Sequence, residues 1–374
     1  MASLDVCWFP EPDAPDPTFA RRTEDSLSWL RRSTLTLAVE YRRFLNFNLA
    51  QLPEGSSYRL ARRLREGGDH WRSALFELIV ARTLQALGAD LEVEPELTDA
   101  RQPDFKARFG STAIIVEATA PFFHREVQRA MGRKDVLAEI IEELTPDGWI
   151  VWINELPELG PADSKRSFRR TCEALLDVPP PRGHEEQRRL VAAVDSGPID
   201  LTLLVRKDFS RRIAGGPGQG WSGDGVETIR RAVKRKRRQV RESGSEVVLA
   251  INASELFSGF EDFDWALFGH THGHYDAVSD SVRRVEFVAD GVLTTRGKGA
   301  PTIAAVLAYV EANCFCSREP VLYVHPRFQG KLPSQFEKFE RRILERDHGI
   351  QKLIPTGPPV LQALEPVRRE VLGD

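Results

Sequence analysis

Residues 102–121 read QPDFKARFGSTAIIVEATAP. One acid, Asp104, follows a proline directly, and a second, Glu117, closes an apolar run. In DFKARF, alternation puts Asp104, Lys106 and Arg108 on one face of an extended chain and Phe105, Ala107 and Phe109 on the other. In TAIIVEAT, Glu117 shares its face with Ala113, Ile115 and Thr119. Gly110 and Ser111 between these runs predict a two-residue hairpin turn. A hairpin would bring Asp104 and Glu117 together near one end of a sheet. Glu117 follows AIIV, a run that predicts a strand buried on both sides, where an unpaired carboxylate is costly. It therefore requires an arginine, a lysine or a metal ion. Two carboxylates at this spacing suit Mg²⁺, with Mn²⁺ as the alternative ion. Such an ion can polarise a phosphoryl oxygen and supply hydroxide at neutral pH. The competing explanation is two ordinary charges at strand ends.

Working outward, the period changes on both sides. Upstream, HWRSALFELIVARTLQALG is apolar on most sides, as a buried helix is, with Gly88 as its C-cap. Before it, TEDSLSWLRRSTLTLAVEYRRFLNFNLAQL predicts a helix capped at Thr23. LEVEPEL, DFKARF and TAIIVEAT predict three strands. REVQRAMGRKDVLAEIIEEL predicts a helix, WIVWINEL and IDLTLLVRKD strands, VETIRRAVKRKRRQV a helix and EVVLAINAS a buried strand. EPVLYVHPRF precedes a stretch that reads as a helical appendage. The expected organisation is an N-terminal helical extension (1–56), a core (57–328) interrupted by an insertion at about 121–223, and a C-terminal helical tail (329–374).

The order helix, strand, PD, strand ending in E-x-x, helix, strand resembles the PD-(D/E)XK restriction-endonuclease-like superfamily. The resemblance covers roughly residues 70–120 and 224–253, and ALFG and VLYVHPRF also look like segments of bacterial proteins with this core. It implies an α/β fold with an α-β-β-β-α-β core, a mixed sheet flanked by helices. It also implies Mg²⁺-dependent phosphodiester hydrolysis, with DNA as substrate and defence against foreign DNA as a setting. One departure is plain. The family pattern places lysine two residues after the glutamate, and here Thr119 stands there. Some members of the superfamily carry this lysine on the following core helix. In ETIRRAVKRKRRQV, Ile229, Ala232, Val233 and Val240 define an apolar stripe, and Lys236 falls on it. Lys236 is the expected replacement, with a snorkelling lysine as the alternative. Arg231, Lys234, Arg235 and Arg238 would then contact backbone phosphates, or else form a solvated helix face. The first core helix of the family often carries a glutamate near the metal, which makes Glu77 in FELIVARTL a further ligand or water anchor; a partnership with Arg82 or another basic side chain is the alternative.

The rest of the chain bounds these readings. Net charge is −3, so any nucleic-acid contact must come from a local basic face rather than from the whole molecule. No apolar run reaches the roughly 18 to 20 residues of a membrane span, and the N-terminus lacks a secretory pattern. Four cysteines define no disulfide framework, and Cys314 and Cys316 stand too close for C-x-x-C geometry. A cytoplasmic protein is expected, with homo-oligomer or partner-protein contacts through the insertion or the termini. GHTHGHYD, with His270, His272 and His274, reads as a polar loop. GGPGQG and TTRGKGAPT fail the phosphate-loop pattern. The rival to an enzyme is a module that kept the fold and lost the chemistry.

Overall fold

A computed structural model describes the chain except residues 1–6, 19, 22, 97–101, 123–124, 159–164, 184, 206–212, 216–224, 241–245, 257–258, 277–280, 295–300, 311, 313–317, 346–348, 356–359 and 361–374. In chain order the elements are α1 (Ser26–Arg32), α2 (Thr36–Ala50), α3 (Glu54–Glu66), α4 (Gly68–Ala86), β1 (Asp90–Val93), β2 (Phe105–Phe109), β3 (Thr112–Thr119), α5 (Arg125–Leu144), β4 (Trp149–Glu155), α6 (Lys165–Leu175), β5 (Gln187–Val194), β6 (Gly197–Val205), β7 (Ile213–Gly215), α7 (Gly225–Val240), β8 (Val247–Asn252), α8 (Phe260–Leu267), β9 (His270–Asp276), β10 (Ser281–Val288), β11 (Ile303–Tyr309), β12 (Val321–Val324), β13 (Glu340–Glu345) and β14 (Gly349–Leu353). No helix among the described residues is long and apolar enough to cross a membrane.

The chain divides into two units. The first holds residues 1–13, 36–123 and 223–374; the second holds 14–35 and 124–222. The first is α/β, built on a mixed eight-stranded sheet in the order β1-β2-β3-β8-β11-β12-β13-β14. The strands β1, β2 and β3 form an antiparallel meander. From β3 the sheet turns parallel, β3 to β8 and β8 to β11, as long crossovers demand. β8 and β11 are buried along their whole length, which explains their unbroken apolar sequences. Helix α4 packs against β1 and β3, and α7 packs against β8.

Local chemistry sets the elements that matter for the site. Helix α4 ends in a Schellman motif: Gly88, at φ +86°, donates to the Gln85 carbonyl (2.8 Å) and Ala89 to that of Leu84 (3.0 Å). The turn between β2 and β3 has Phe109 opposite Thr112 and a positive φ at Gly110 alone, which fits glycine as the first central residue.

The second unit has its own sheet, in the order β5-β6-β4-β7. Its core joins Leu137 and Ile141 of α5, Phe168 and Cys172 of α6, Trp149 and Val151 of β4, and Leu201 and Leu203 of β6.

Several expectations fail. Where it is described, the tail past residue 329 is a short 3-10 helix, Ser334–Lys338, followed by two strands rather than the expected helical appendage. Residues Glu340–Glu345 form β13, whose Arg342 lies buried between Asp264, Glu340 and the rings of Phe260 and Tyr323, and Gly349–Leu353 form β14. The long helix expected from Thr23 is two helices. The first is capped by Asp25, which accepts from Ser28 N at 3.0 Å, and the chain leaves it where Thr34 N donates to the Asp16 carbonyl at 2.8 Å. GHTHGHYD is a strand, β9, paired with β10. The loop residues 216–220 and Cys314 and Cys316 lie outside the described residues.

Candidate functional site

The β2–β3 register sets Phe105 opposite Val116, so Asp104 and Glu117 stand next to each other across the hairpin. Asp104 is fixed twice by backbone. Its Oδ2 accepts from Ala118 N at 2.7 Å, and its carbonyl accepts from Glu94 N at 2.9 Å. Glu117 is buried in mid-sheet, with Leu249 of β8 on its other side. Burial first, and then the neighbouring charge of Asp104, raise the Glu117 carboxyl above its ordinary value. Such a pair calls for positive charge.

Helix α7 supplies it. Ile229, Ala232, Val233 and Val240 are buried, and this stripe turns Lys236 inward. Its Nζ lies 2.6 Å from Glu117 Oε2 and 3.8 Å from Asp104 Oδ2. The ammonium is largely withdrawn from water, at 16% side-chain exposure, and Glu117 is 119 residues away in sequence. Asp104, Glu117 and Lys236 are therefore brought together. One turn-step earlier, the exposed Arg235 donates to the Thr119 hydroxyl at 3.3 Å. Lys234 and Arg238 are exposed, and Arg231 reaches back to the Glu227 carbonyl and the Thr228 hydroxyl of its own helix.

Glu77 is buried on α4, but both its oxygens are taken by Arg63 of α3, each at 2.6 Å. The partner is not Arg82, which instead reaches Gln85 and lies over the Phe47 ring. Burial, and secondarily the charge of Asp104, push the Glu77 carboxyl up to about 7, with Arg63 opposing. Among the described residues no three His, Cys, Asp or Glu side chains converge to hold a metal ion. Of the two alternatives for Glu77, the structure shows the basic partner: the Arg63 guanidinium holds both its oxygens.

Sequence reasoning missed Arg63, Arg59 and Glu94. Glu94 sits just past β1 with φ +48°, a conformation uncommon for a residue with a Cβ, and pairs with Arg59 Nε at 2.5 Å. The neighbourhood then holds four acids, Glu77, Glu94, Asp104 and Glu117, against Arg59, Arg63 and Lys236. Arg63 had one faint signal: it borders the Leu60–Ala61–Leu64 stripe of α3.

The histidines give no centre that can be described. His270 Nδ1 lies 3.1 Å from Asp290 Oδ1, and backbone register pairs His272 with Glu286 and His274 with Arg284.

Chemically, the arrangement offers two hard carboxylates and a fixed ammonium beside an exposed basic helix. Two carboxylates are the donor type that Mg²⁺ takes, and it seldom has a complete protein cage. Comparison with family models, curated proteins and solved structures gave no match, so the functional reading rests on the residues themselves.

Proposed function

We propose that the first unit is a metal-dependent phosphodiesterase acting on nucleic acid, with DNA as the preferred polymer. The observation that carries this reading is the contact of Lys236 Nζ with Glu117, at 2.6 Å, while it also faces Asp104. A lysine placed by a distant helix on two strand carboxylates is the feature that a relocated motif lysine requires. The order α4, β1, β2, β3, α7, β8, with β3 parallel to β8, supports the restriction-endonuclease-like assignment.

Asp104 and Glu117 would hold the Mg²⁺ ion, which when bound polarises the phosphoryl group and favours hydroxide over water. Lys236 keeps Glu117 in place and orients a water by its remaining N–H groups. Arg63 and Glu77 hold α3 against α4 behind the hairpin. Arg231, Lys234 and Arg238 contact backbone phosphates and contribute affinity without sequence readout.

The test is incubation with plasmid, linear duplex, single-stranded DNA and RNA, with Mg²⁺, Mn²⁺ or chelator. Asp104→Ala and Lys236→Ala should each abolish cleavage, and chelator should do the same. Cleavage surviving both substitutions removes this site from the reaction.

One observation favours a second reading, a fold that binds nucleic acid without cutting it. Lys236 is in direct contact with Glu117 and neutralises it, and the strand position two residues on is a threonine. On that reading every variant binds DNA and none cuts it.

A further inference from the structure

We propose that Arg235, held by the Thr119 hydroxyl, is the side chain that meets the phosphoryl group under attack. This rests on the hydrolytic reading above and deepens it. Lys236 stands in the sequence for the missing strand lysine, but its ammonium is committed: it is nearly buried and sits 2.6 Å from Glu117. An ammonium in that contact has little charge left for a phosphate. The neighbouring residue is differently placed. Arg235 is exposed, and among the described residues its guanidinium donates to Thr119 Oγ1 at 3.3 Å. Thr119 is the residue that replaces the strand lysine. The threonine cannot carry a cation, and its hydroxyl instead positions one that arrives from the helix.

The geometry is economical. Glu117 and Thr119 are two residues apart on β3, so they share a face and stand about 6.6 Å apart along the strand. A phosphate set against the Asp104–Glu117 pair therefore lies within reach of a guanidinium anchored at Thr119. Arginine suits the task better than lysine would. Its planar fork can spend one N–H on the threonine and still offer others to two phosphoryl oxygens. In the step itself the water oxygen bonds to phosphorus and the phosphorus–oxygen bond to the sugar breaks. One water proton ends on the departing sugar oxygen and the other stays on the new phosphate monoester. Negative charge builds on the equatorial oxygens, where Arg235 stands.

The test uses the full chain and whichever nucleic acid it cleaves fastest. Arg235→Ala is expected to lower kcat about 10²-fold while changing KM much less. Thr119→Val should lower kcat about tenfold, and Thr119→Lys in the Arg235→Ala background should restore at least about tenfold. A second readout needs neither metal nor turnover. In EDTA, the Arg235 Nε–H signal of ¹⁵N-labelled protein, assigned by its loss in Arg235→Lys, should move in Thr119→Val and again on adding a short DNA duplex. If Arg235→Ala raises KM and spares kcat, the residue is an ordinary backbone contact and the assignment falls. It falls equally if the Nε–H signal ignores Thr119→Val. In both cases the hydrolytic reading stands, because Asp104→Ala and Lys236→Ala still silence the enzyme. If the parent cleaves nothing in any metal, that reading and this assignment are both overturned.

Discussion

Glu77 and His325 are buried in the same unit, and pH drives their contributions to stability in opposite directions. Burial lifts the Glu77 carboxyl from 4.5 to about 7. Between those values the folded chain keeps a proton that the unfolded chain has lost. Its stabilisation is full below 4.5 and is lost as pH rises through about 7. Burial, aided by the charges of Arg327 and Arg237, lowers His325 from 6.5 to about 4. Its stabilisation is full above 6.5 and is lost as pH falls through about 4. Each is worth about 3 kcal/mol, so they offset one another between pH 4.5 and 6.5. Urea unfolding should therefore show a rising stability over that range in Glu77→Gln and a falling one in His325→Gln, with the parent nearly flat. Parallel curves in all three proteins would refute the linkage. The Arg63 partnership gives a second check. Arg63→Met should cost about 2 kcal/mol at pH 8, less than a fully buried pair because Arg63 is 26% exposed, and little at pH 5. At this scale the sequence showed three of the four acids clearly and missed Glu94. Strand alternation marked Asp104 and Glu117, and an apolar helix marked Glu77. Their cations are set by tertiary packing: Lys236 betrayed itself by lying on an apolar stripe, and Arg63 only faintly by bordering one.

Helix α7 translates that stripe into a position. Ile229 and Val233 are fully buried and carry Lys236 to the carboxylates. Ile229→Ala should destabilise by about 2–4 kcal/mol in urea unfolding, through lost transfer and the cavity left behind. Lys236→Met keeps the stem but leaves the buried Glu117 without its cation, so it should cost a comparable amount near neutral pH and remove cleavage, whereas Ile229→Ala should still cleave wherever it remains folded. If both variants lose activity and stability in proportion, the lysine is a packing residue only. The elements around the site were legible because their periods are strong and local: α4, β2, β3, α7 and β8 follow from alternation or from three- and four-residue steps. The failures have different causes. β13 carries the charges of a solvated helix, yet it is a strand whose Arg342 is satisfied by Asp264, 78 residues earlier in the chain. β9 is dominated by histidine and glycine, and its pairing with β10 supplies the order that its composition hides. No local window contains Asp264 beside Arg342, whereas β10 follows β9 directly and only the composition of β9 obscured that hairpin.

At the scale of the molecule, a net charge of −3 has to be reconciled with the proposed nucleic-acid substrate. The basic residues concentrate on α7, whose sequence GVETIRRAVKRKRRQV has Glu227 as its one acid. Binding would therefore rest on a local field, and a local field is screened within roughly a Debye length of 8–10 Å near physiological salt. Four phosphate contacts, from Arg231, Lys234, Arg235 and Arg238, imply a slope of log K against log salt of about −3.6. Affinity for a short duplex should then fall about 10²-fold between 50 and 200 mM salt. Arg238→Ala is the clean probe, since its side chain is exposed and stands apart from the carboxylates. Fluorescence anisotropy in EDTA should show its slope reduced by about 1, with uniformly weaker binding across sequences and unchanged unfolding. Arg189→Ala, in the second unit, serves as the control, because that guanidinium is already paired with Asp200 at 2.5 Å. A salt slope that responds to Arg189 and ignores Arg238 would move the nucleic-acid face off α7 and onto the other unit. The carboxylate–lysine cluster would then have no phosphate beside it.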